Sequence, residues 1–500
     1  MSLRPAEGLT TSLRSLGREA LSLPSSTKTR ISVIIGGCFL ALFLGRAVAA
    51  GGQLAILAFL LAILIAAGAL AWTFFENRAV TGYIAIEVPA LLICASTLVL
   101  RERDTEALAD NPLDPAGFFR VLCVGGALLF GLGSLLTPVD KDHAFIGRVT
   151  SRPFRLYVAY VFVVFLGAAF SVSPTLTIYR GVELAALVAV VGGAARIGGR
   201  RALQRIENVL YWFFVALVSS AWIGVVLFPG RGLDPIDSPI PYQLNGIFPA
   251  VSSNGLGLLG VLLLFWSIGR LMAPQHELRV RPRITKLVAA LGFMTLVFAQ
   301  YRTGYASAIL GLVILLLIRR QIGLASVFAA AAIVFLLWGP SIVETVQPIA
   351  LRGQTVERAQ ELSGRTDWWA ASIPVWQKSP LLGRGLLTGT RFEVLAELGQ
   401  TTTSTIHGTW IEALVGTGLV GVSLLAAFFI AMWKRSIVEA LRVGGRLVPL
   451  FIMTIFSVRT YTGTTFEAAG ADTLLFLTIA LSLRDSIPMW ANKRAVHSSS

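Results

Sequence analysis

His407 stands at the head of an apolar run, residues 408–432, directly after Thr401-Thr-Thr-Ser-Thr-Ile406, whose hydroxyls are N-cap candidates. An imidazole at a helix entrance is well placed for proton transfer, and equally for a plain structural hydrogen bond. A helix N-terminus disfavours imidazolium. With a reference pKa of about 6.5, an activity that needs the neutral ring is expected to fall below about pH 6. His143, His276 and His497 fall in loops or a tail on the opposite side of the alternation derived below.

Arginines supply the second kind of chemistry. Arg302 lies in Gln300-Tyr-Arg-Thr-Gly-Tyr305, a tight turn between two apolar runs, where a cation needs either a ligand or lipid headgroups. Arg365 opens the Trp-rich stretch Ser363-Gly-Arg-Thr-Asp-Trp-Trp369, and Arg384 sits in the glycine-framed Pro380-Leu-Leu-Gly-Arg-Gly385. A guanidinium holds phosphate oxygens through two parallel N–H bonds. Arg180 is three residues from Glu183, a spacing at which the two charges neutralise each other on one helix face. Glu87, two residues before Pro89, is the carboxylate most deeply placed in an apolar run, and suits a hydrogen-bonded packing role.

Other chemistries lack their residues. There is no phosphate-binding glycine loop for nucleotide-driven pumping, and no His/Cys/carboxylate set with metal-ligand spacing, so neither metal nor cofactor is expected. Cys38, Cys94 and Cys123 all fall in apolar runs and read as small hydrophobes.

The elements that must position these groups follow from composition. Of 500 residues, 55% are hydrophobic and only 14% charged, with a mean hydropathy of +0.74. So few polar groups cannot cover a water-soluble fold. About fourteen apolar stretches approach membrane-spanning length: 31–50, 53–72, 82–100, 118–136, 154–170, 177–195, 208–228, 253–272, 285–301, 304–318, 321–338, 408–432, 445–462 and 471–484. The expected fold is all-α and polytopic, with about 12–14 transmembrane helices.

Basic residues then assign the sides. The segment 1–30 and every second loop are basic, among them 196–207 (Arg196, Arg200, Arg201, Arg205), 270–284 and 433–446. The net charge of +15 is therefore a topology signal and not a nucleic-acid footprint. Ala-Val-Ala-Ala50 resembles a cleavage site, but the polar lead of 1–30 favours an uncleaved first helix. The expected order is a cytoplasmic tail (1–30), eleven helices (31–338), one large extracytoplasmic loop (339–404), three helices (405–484) and a cytoplasmic tail (485–500). In the large loop, residues 366–378 bring Trp368, Trp369, Ser372, Ile373 and Trp376 near one helical face, until Pro374 kinks or ends the helix. Such a segment suits a lid on the outer leaflet or a simple interfacial anchor. A second outer loop, 229–252, is rich in Pro and Gly.

Four segments, in order, resemble the O-antigen ligase/polymerase family of multi-pass bacterial glycosyltransferases, which includes exopolysaccharide polymerases. They are Phe248-Pro-Ala-Val-Ser-Ser-Asn-Gly-Leu-Gly257; Tyr301-Arg-Thr-Gly-Tyr-Ala-Ser307, with Tyr301 where serine is usual; Ser363-Gly-Arg-Thr-Asp-Trp-Trp369 followed by Pro380-Leu-Leu-Gly-Arg-Gly385; and His407-Gly-Thr-Trp-Ile-Glu-Ala-Leu-Val-Gly-Thr-Gly418. Gly408 departs from the family's Asn, Ser or Gln. Ser171-Val-Ser-Pro174 adds a weaker match.

The resemblance implies a C-superfamily type of helical glycosyltransferase in the cytoplasmic (inner) membrane, with its active site on the extracytoplasmic side. It implies transfer of a glycan from an undecaprenyl-diphosphate-type carrier to an acceptor hydroxyl, independent of metal and nucleotide. Its partners would be that donor, a glycan or lipid-glycan acceptor, membrane lipids and polysaccharide-assembly machinery. By position, Arg302 and Arg365 match arginines that grip the diphosphate, and His407 matches the histidine acting at the acceptor. Arg384, Arg180, Trp368, Trp369 and Asn254 are the further substrate-binding candidates. A multi-pass, inside-basic chain is also what a flippase, a polysaccharide exporter or a non-catalytic export subunit would show. Those readings do not require an outer loop bearing arginines and a histidine.

Overall fold

The computed structural model describes residues 78–98, 115–136, 151–236, 240–272, 281–318, 365–400, 405–442 and 445–483. All belong to one compact unit spanning 70–500. The expected spans 31–50, 53–72 and 321–338, both tails and residues 339–364 of the large loop lie outside the described residues, as do His143, His276 and His497.

Within the described residues the protein is an all-α polytopic bundle. Its helices are α1 (Arg78–Thr97), α2 (Pro115–Leu136), α3 (Arg152–Gly167), α4 (Pro174–Leu227), α5 (Ser253–Leu271), α6 (Pro282–Ala299), α7 (Arg302–Ile318), α8 (Arg365–Gln377), α9 (Thr409–Leu441), α10 (Val448–Thr462) and α11 (Ala471–Ser482). Among the described residues, six helices are long and apolar enough to cross a membrane, and four shorter apolar helices accompany them. Side chains such as Leu129, Val226, Leu287 and Ile430 stay exposed on the outside of the bundle, as lipid-facing residues do. The core is aromatic: Phe466 and Phe476 stack edge-on at 4.6 Å, and Phe428 and Phe456 pack against both.

Two expected spans, 177–195 and 208–228, are the two helices of α4, which meet at a non-helical kink at Gly199. The basic segment between them is helical on either side of that kink. Arg196, Arg200, Arg201 and Arg205 are good helix formers, and the chain breaks only at Gly199, whose φ of 56° suits glycine. The 229–252 segment is also more ordered than its Pro and Gly content suggests. After one helical turn, two small antiparallel ribbons form, β1 (Leu233–Pro235) with β2 (Tyr242–Leu244) and β3 (Gly246–Ile247) with β4 (Ala250–Val251).

Hydrogen bonds sort the connections to the two ends of the bundle. At one end Arg270 donates to Asn208 at 2.7 Å, and Arg446 pairs with Glu207. Three of the basic segments therefore share that end. At the other end Gln300 donates to the carbonyls of Ile240 and Tyr242, Arg365 to that of Thr462, and Thr409 to that of Gly463. The outer-loop motifs are thus gathered together, away from the basic segments.

Candidate functional site

α9 is the element that places His407. Gly408 is its N-cap residue, with extended backbone, and His407 itself sits in the left-handed region with φ 53°. That conformation is costly for a side chain larger than glycine and marks a residue held in place by its surroundings. The indole of Trp369 donates to the carbonyl of Ile406 at 3.3 Å, and the ring of Trp368 lies 6.1 Å from the imidazole, tilted by 31°. Thr405 Oγ1 lies 3.5 Å from Nδ1. Gly408 has a local reason: a Cβ there would meet the indole nitrogen of Trp369 at 3.0 Å. The departure from the family's polar residue is filled by tryptophan.

Three elements bring cations or their partners to this ring. Arg365, the first residue of α8, donates to Thr462 O at 3.2 Å, and Arg459 lies in the last turn of α10. Burial, then the charges of Arg365 and Arg459, push the His407 pKa down to about 4. The imidazole is neutral at ordinary pH for reasons stronger than the helix terminus alone. Burial also lowers the Arg365 pKa, opposed by Tyr301, which brings the turn between α6 and α7 to the same place. Arg302 follows Tyr301 as the first residue of α7.

That turn is built by a glutamine and by a glycine on α5. Gln300 is left-handed, with φ 49°, and its amide ties the turn to the 240–242 segment. A Cβ on Gly257 would come within 2.2 Å of Tyr301 Cβ. The Asn254-Gly-Leu-Gly257 motif therefore owes its second glycine to Tyr301. Asn254, one turn earlier on α5, is exposed.

Arg384 and Arg180 are held differently. Arg384 donates through Nε and Nη2 to Glu393 at 2.9 and 2.6 Å, and through Nη1 to Phe170 O at 3.0 Å. Lys378 adds a second cation at 3.0 Å. Burial alone would raise the Glu393 pKa, but these hydrogen bonds outweigh it and hold the carboxyl below its usual range. Arg180 and Arg120 share Glu183, at 2.7 and 2.5 Å. In both places the guanidinium braces the scaffold beside the His407 cluster.

The glycine motifs prove to be one joint. α9 is broken at Gly418, with φ 65° and ψ −167°. The backbone groups freed there are taken up by the 380–385 turn: Arg384 N donates to Val415 O and Gly385 N to Gly416 O, while Leu419 N and Val420 N donate to Pro380 O and Leu381 O. A broken membrane helix needs such substitutes, because lipid offers none. Gly383 and Gly385 both have positive φ. A Cβ on Gly385 would strike Ser171, Thr177 and Thr388, whose hydroxyls form a mutual triangle with sides of 2.7–3.0 Å. This places the Ser171-Val-Ser-Pro174 motif against the loop.

Sequence reading missed Arg459, because it lies inside a span counted as plain, 445–462. It also missed Glu412, which accepts from Thr390 and from Ile406 N beneath His407. Glu467 is missed too: a carboxyl in the connection between α10 and α11, raised in pKa by burial and then by Glu412. Among the described residues no group of three or more His, Cys, Asp or Glu side chains is placed to hold a metal ion.

No curated protein matches the chain. Residues 287–426, which contain Arg302, Arg365, Trp368, Trp369, Arg384 and His407, match the O-Antigen ligase family. The match covers the segment that carries Arg302, Arg365 and His407, and supports the resemblance to the O-antigen ligase/polymerase family.

Proposed function

We propose that the protein transfers a glycan from a polyprenyl-diphosphate carrier to an acceptor hydroxyl, at the extracytoplasmic face of the cytoplasmic membrane. The observation that carries the reading is a neutral His407 faced by Arg365 and Arg459. A base and fixed cations within electrostatic reach are what glycosyl transfer from a diphosphate requires. The acceptor oxygen attacks the anomeric carbon as the bond from that carbon to the phosphate oxygen breaks. The electron pair leaves on the polyprenyl diphosphate, where negative charge develops. Arg365 and Arg302 stabilise that charge, and fixed cations in a partly buried site do so without reorganising.

The proton of the acceptor hydroxyl passes to His407. If Nδ1–H points to Thr405, the lone pair on Nε2 is the receiving one. A base with a pKa of about 4 is weak in the free enzyme. Burial and the two arginine charges depress it; an incoming diphosphate offsets the charge part, so donor binding strengthens the base that acts on the acceptor. Trp368 and Trp369 close over the ring, and Asn254 lies at the edge of the site. Arg384 and Arg180 contribute by bracing the turns on which the site stands.

Incubating the purified protein alone with a polyprenyl-diphosphate-linked glycan and an acceptor glycan tests the proposal. A new glycosidic product, with release of polyprenyl diphosphate, is expected. Transport of the intact lipid-linked glycan across vesicles without product would overturn it.

A further inference from the structure

The stretch from the last turn of α10 into the loop that follows, Arg459-Thr-Tyr-Thr-Gly-Thr-Thr465, has hydrogen-bonding capacity that the fold does not use. The hydroxyls of Thr462, Thr464 and Thr465 and the Nε of Arg459 are all buried without a hydrogen-bond partner among the described residues. A buried, unpaired polar group costs free energy, and four in seven residues mark a place where a ligand completes the set. The loop adjoins the reacting groups. Arg365 donates to Thr462 O, Thr409 of the His407 helix donates to Gly463 O, and the Arg459 charge bears on His407. The loop lies outside the family-matched residues 287–426.

Charge decides what the loop recognises. Arg459 is matched by Asp472 at 3.5 Å and donates to Thr464 O at 3.4 Å. Arg365 has no carboxylate partner among the described residues. The first arrangement is close to neutral and offers hydroxyls that both donate and accept, with the aromatic ring of Tyr461, 66% exposed, on the same loop. The second is a bare cation. An anion suits Arg365, whereas a neutral polyhydroxyl ligand suits the Arg459–Asp472 loop.

We propose that Arg459, Thr462, Thr464 and Thr465 form a sugar subsite that holds the acceptor glycan beside His407. The proposal rests on the transfer reading above and adds the residues that would choose the acceptor.

Binding measured apart from turnover tests it. The full-length protein in nanodiscs is presented with two probes: oligosaccharides hydrolysed from the host's own surface glycan and freed of phosphate, and inorganic pyrophosphate. Saturation-transfer NMR reads the first, and competition with a labelled nucleotide-free diphosphate lipid reads the second. T464V/T465V keeps side-chain volume and should weaken the oligosaccharide signal about ten-fold while leaving pyrophosphate binding unchanged. Arg365→Ala should do the reverse. In transfer assays T464V/T465V should raise the acceptor KM and leave the donor KM alone. Weakened pyrophosphate binding, or a raised donor KM, would make the loop part of the donor site and overturn the proposal. Unchanged oligosaccharide binding with a raised melting temperature would show the hydroxyls to be merely orphaned, and overturn it as well. Oligosaccharide binding that depends on the threonines, in a protein that transfers nothing, would keep the subsite and reject the transferase reading.

Discussion

At the scale of single residues, His407 and its arginines make opposed demands that can be measured. Burial first, and then the charges of Arg365 and Arg459, keep the imidazole neutral, with a pKa of about 4 in the free protein. The acid limb of kcat/KM, which reports the free enzyme, is therefore expected near that value, lower than the limb near pH 6 that the helix terminus alone suggests. The limb of kcat reports the donor complex and should lie higher, since the diphosphate offsets both cations. Coincident limbs in the two profiles would show that the donor does not bind at these arginines. The same shift has a stability consequence. The folded pKa lies below the unfolded value of about 6.5, so the unfolded chain binds the proton more readily between the two. The contribution of His407 to stability is complete above about pH 6.5 and is lost as pH falls toward 4. His407→Gln should flatten that part of a melting-temperature profile. On the proposed reading, replacing Arg302 or Arg365 with alanine removes a charge-assisted contact to phosphate worth about 1.5–3 kcal/mol, so transfer should fall about 10- to 150-fold with normal membrane insertion. Lysine should restore only part of it, lacking the planar fork. Full activity of either alanine variant would reduce that arginine to a headgroup anchor.

At the scale of elements, the broken helix α9 and the 380–385 turn stabilise each other. Neither makes sense alone: the turn has two glycines with positive φ, and the helix gives up backbone hydrogen bonds inside an apolar segment. A Cβ on Gly418 would meet the carbonyl of Leu381 at 2.3 Å, and its φ of 65° is itself unfavourable for alanine. Gly418→Ala should cost about 1–3 kcal/mol from the backbone conformation before the clash is counted, read as a lowered melting temperature in detergent. A variant as stable as wild type would mean that α9 runs straight through this point. Gly408→Asn probes the seating of the Trp369 indole, which lies 3.0 Å from the position of the new Cβ. It should displace the indole from Ile406 O and shift tryptophan emission to the red, with less loss of stability than Gly418→Ala.

At the scale of the whole molecule, the ends of the bundle divide the labour. One end carries basic connections stitched by Arg270–Asn208 and Arg446–Glu207. The other carries His407, Arg365 and the glycine turns. On the proposed reading the positive-inside rule puts the basic end in the cytoplasm and the His407 cluster outside. In a Cys38→Ser background, with Cys94 and Cys123 buried, Gln377→Cys should label with an impermeant maleimide in intact cells and Arg283→Cys only after lysis. The reverse pattern would put the cluster in the cytoplasm and remove the extracytoplasmic assignment.

The apolar spans were legible from sequence because lipid leaves the backbone no alternative to helix: every expected span that falls in the described residues is helical, from 82–100 to 471–484. The loop motifs were legible as separate places with chemistry, since an arginine or histidine at a membrane boundary has few inexpensive positions. Their meaning was not. Hydropathy is a local property, and it gave no hint that Gly383 and Gly385 serve the break at Gly418, or that Gly257 makes room for Tyr301. Charge is read from sequence without its distant partners: Glu183, three residues on, already answered Arg180, but Arg384 looked as open as Arg365 until Glu393 was found against it. Arg459 was passed over inside an apolar run, and only the packing of α10 brings it to His407. The tertiary structure alone decided these matters, because they depend on which chain ends meet at one end of the bundle, and that contact is made between residues far apart in sequence.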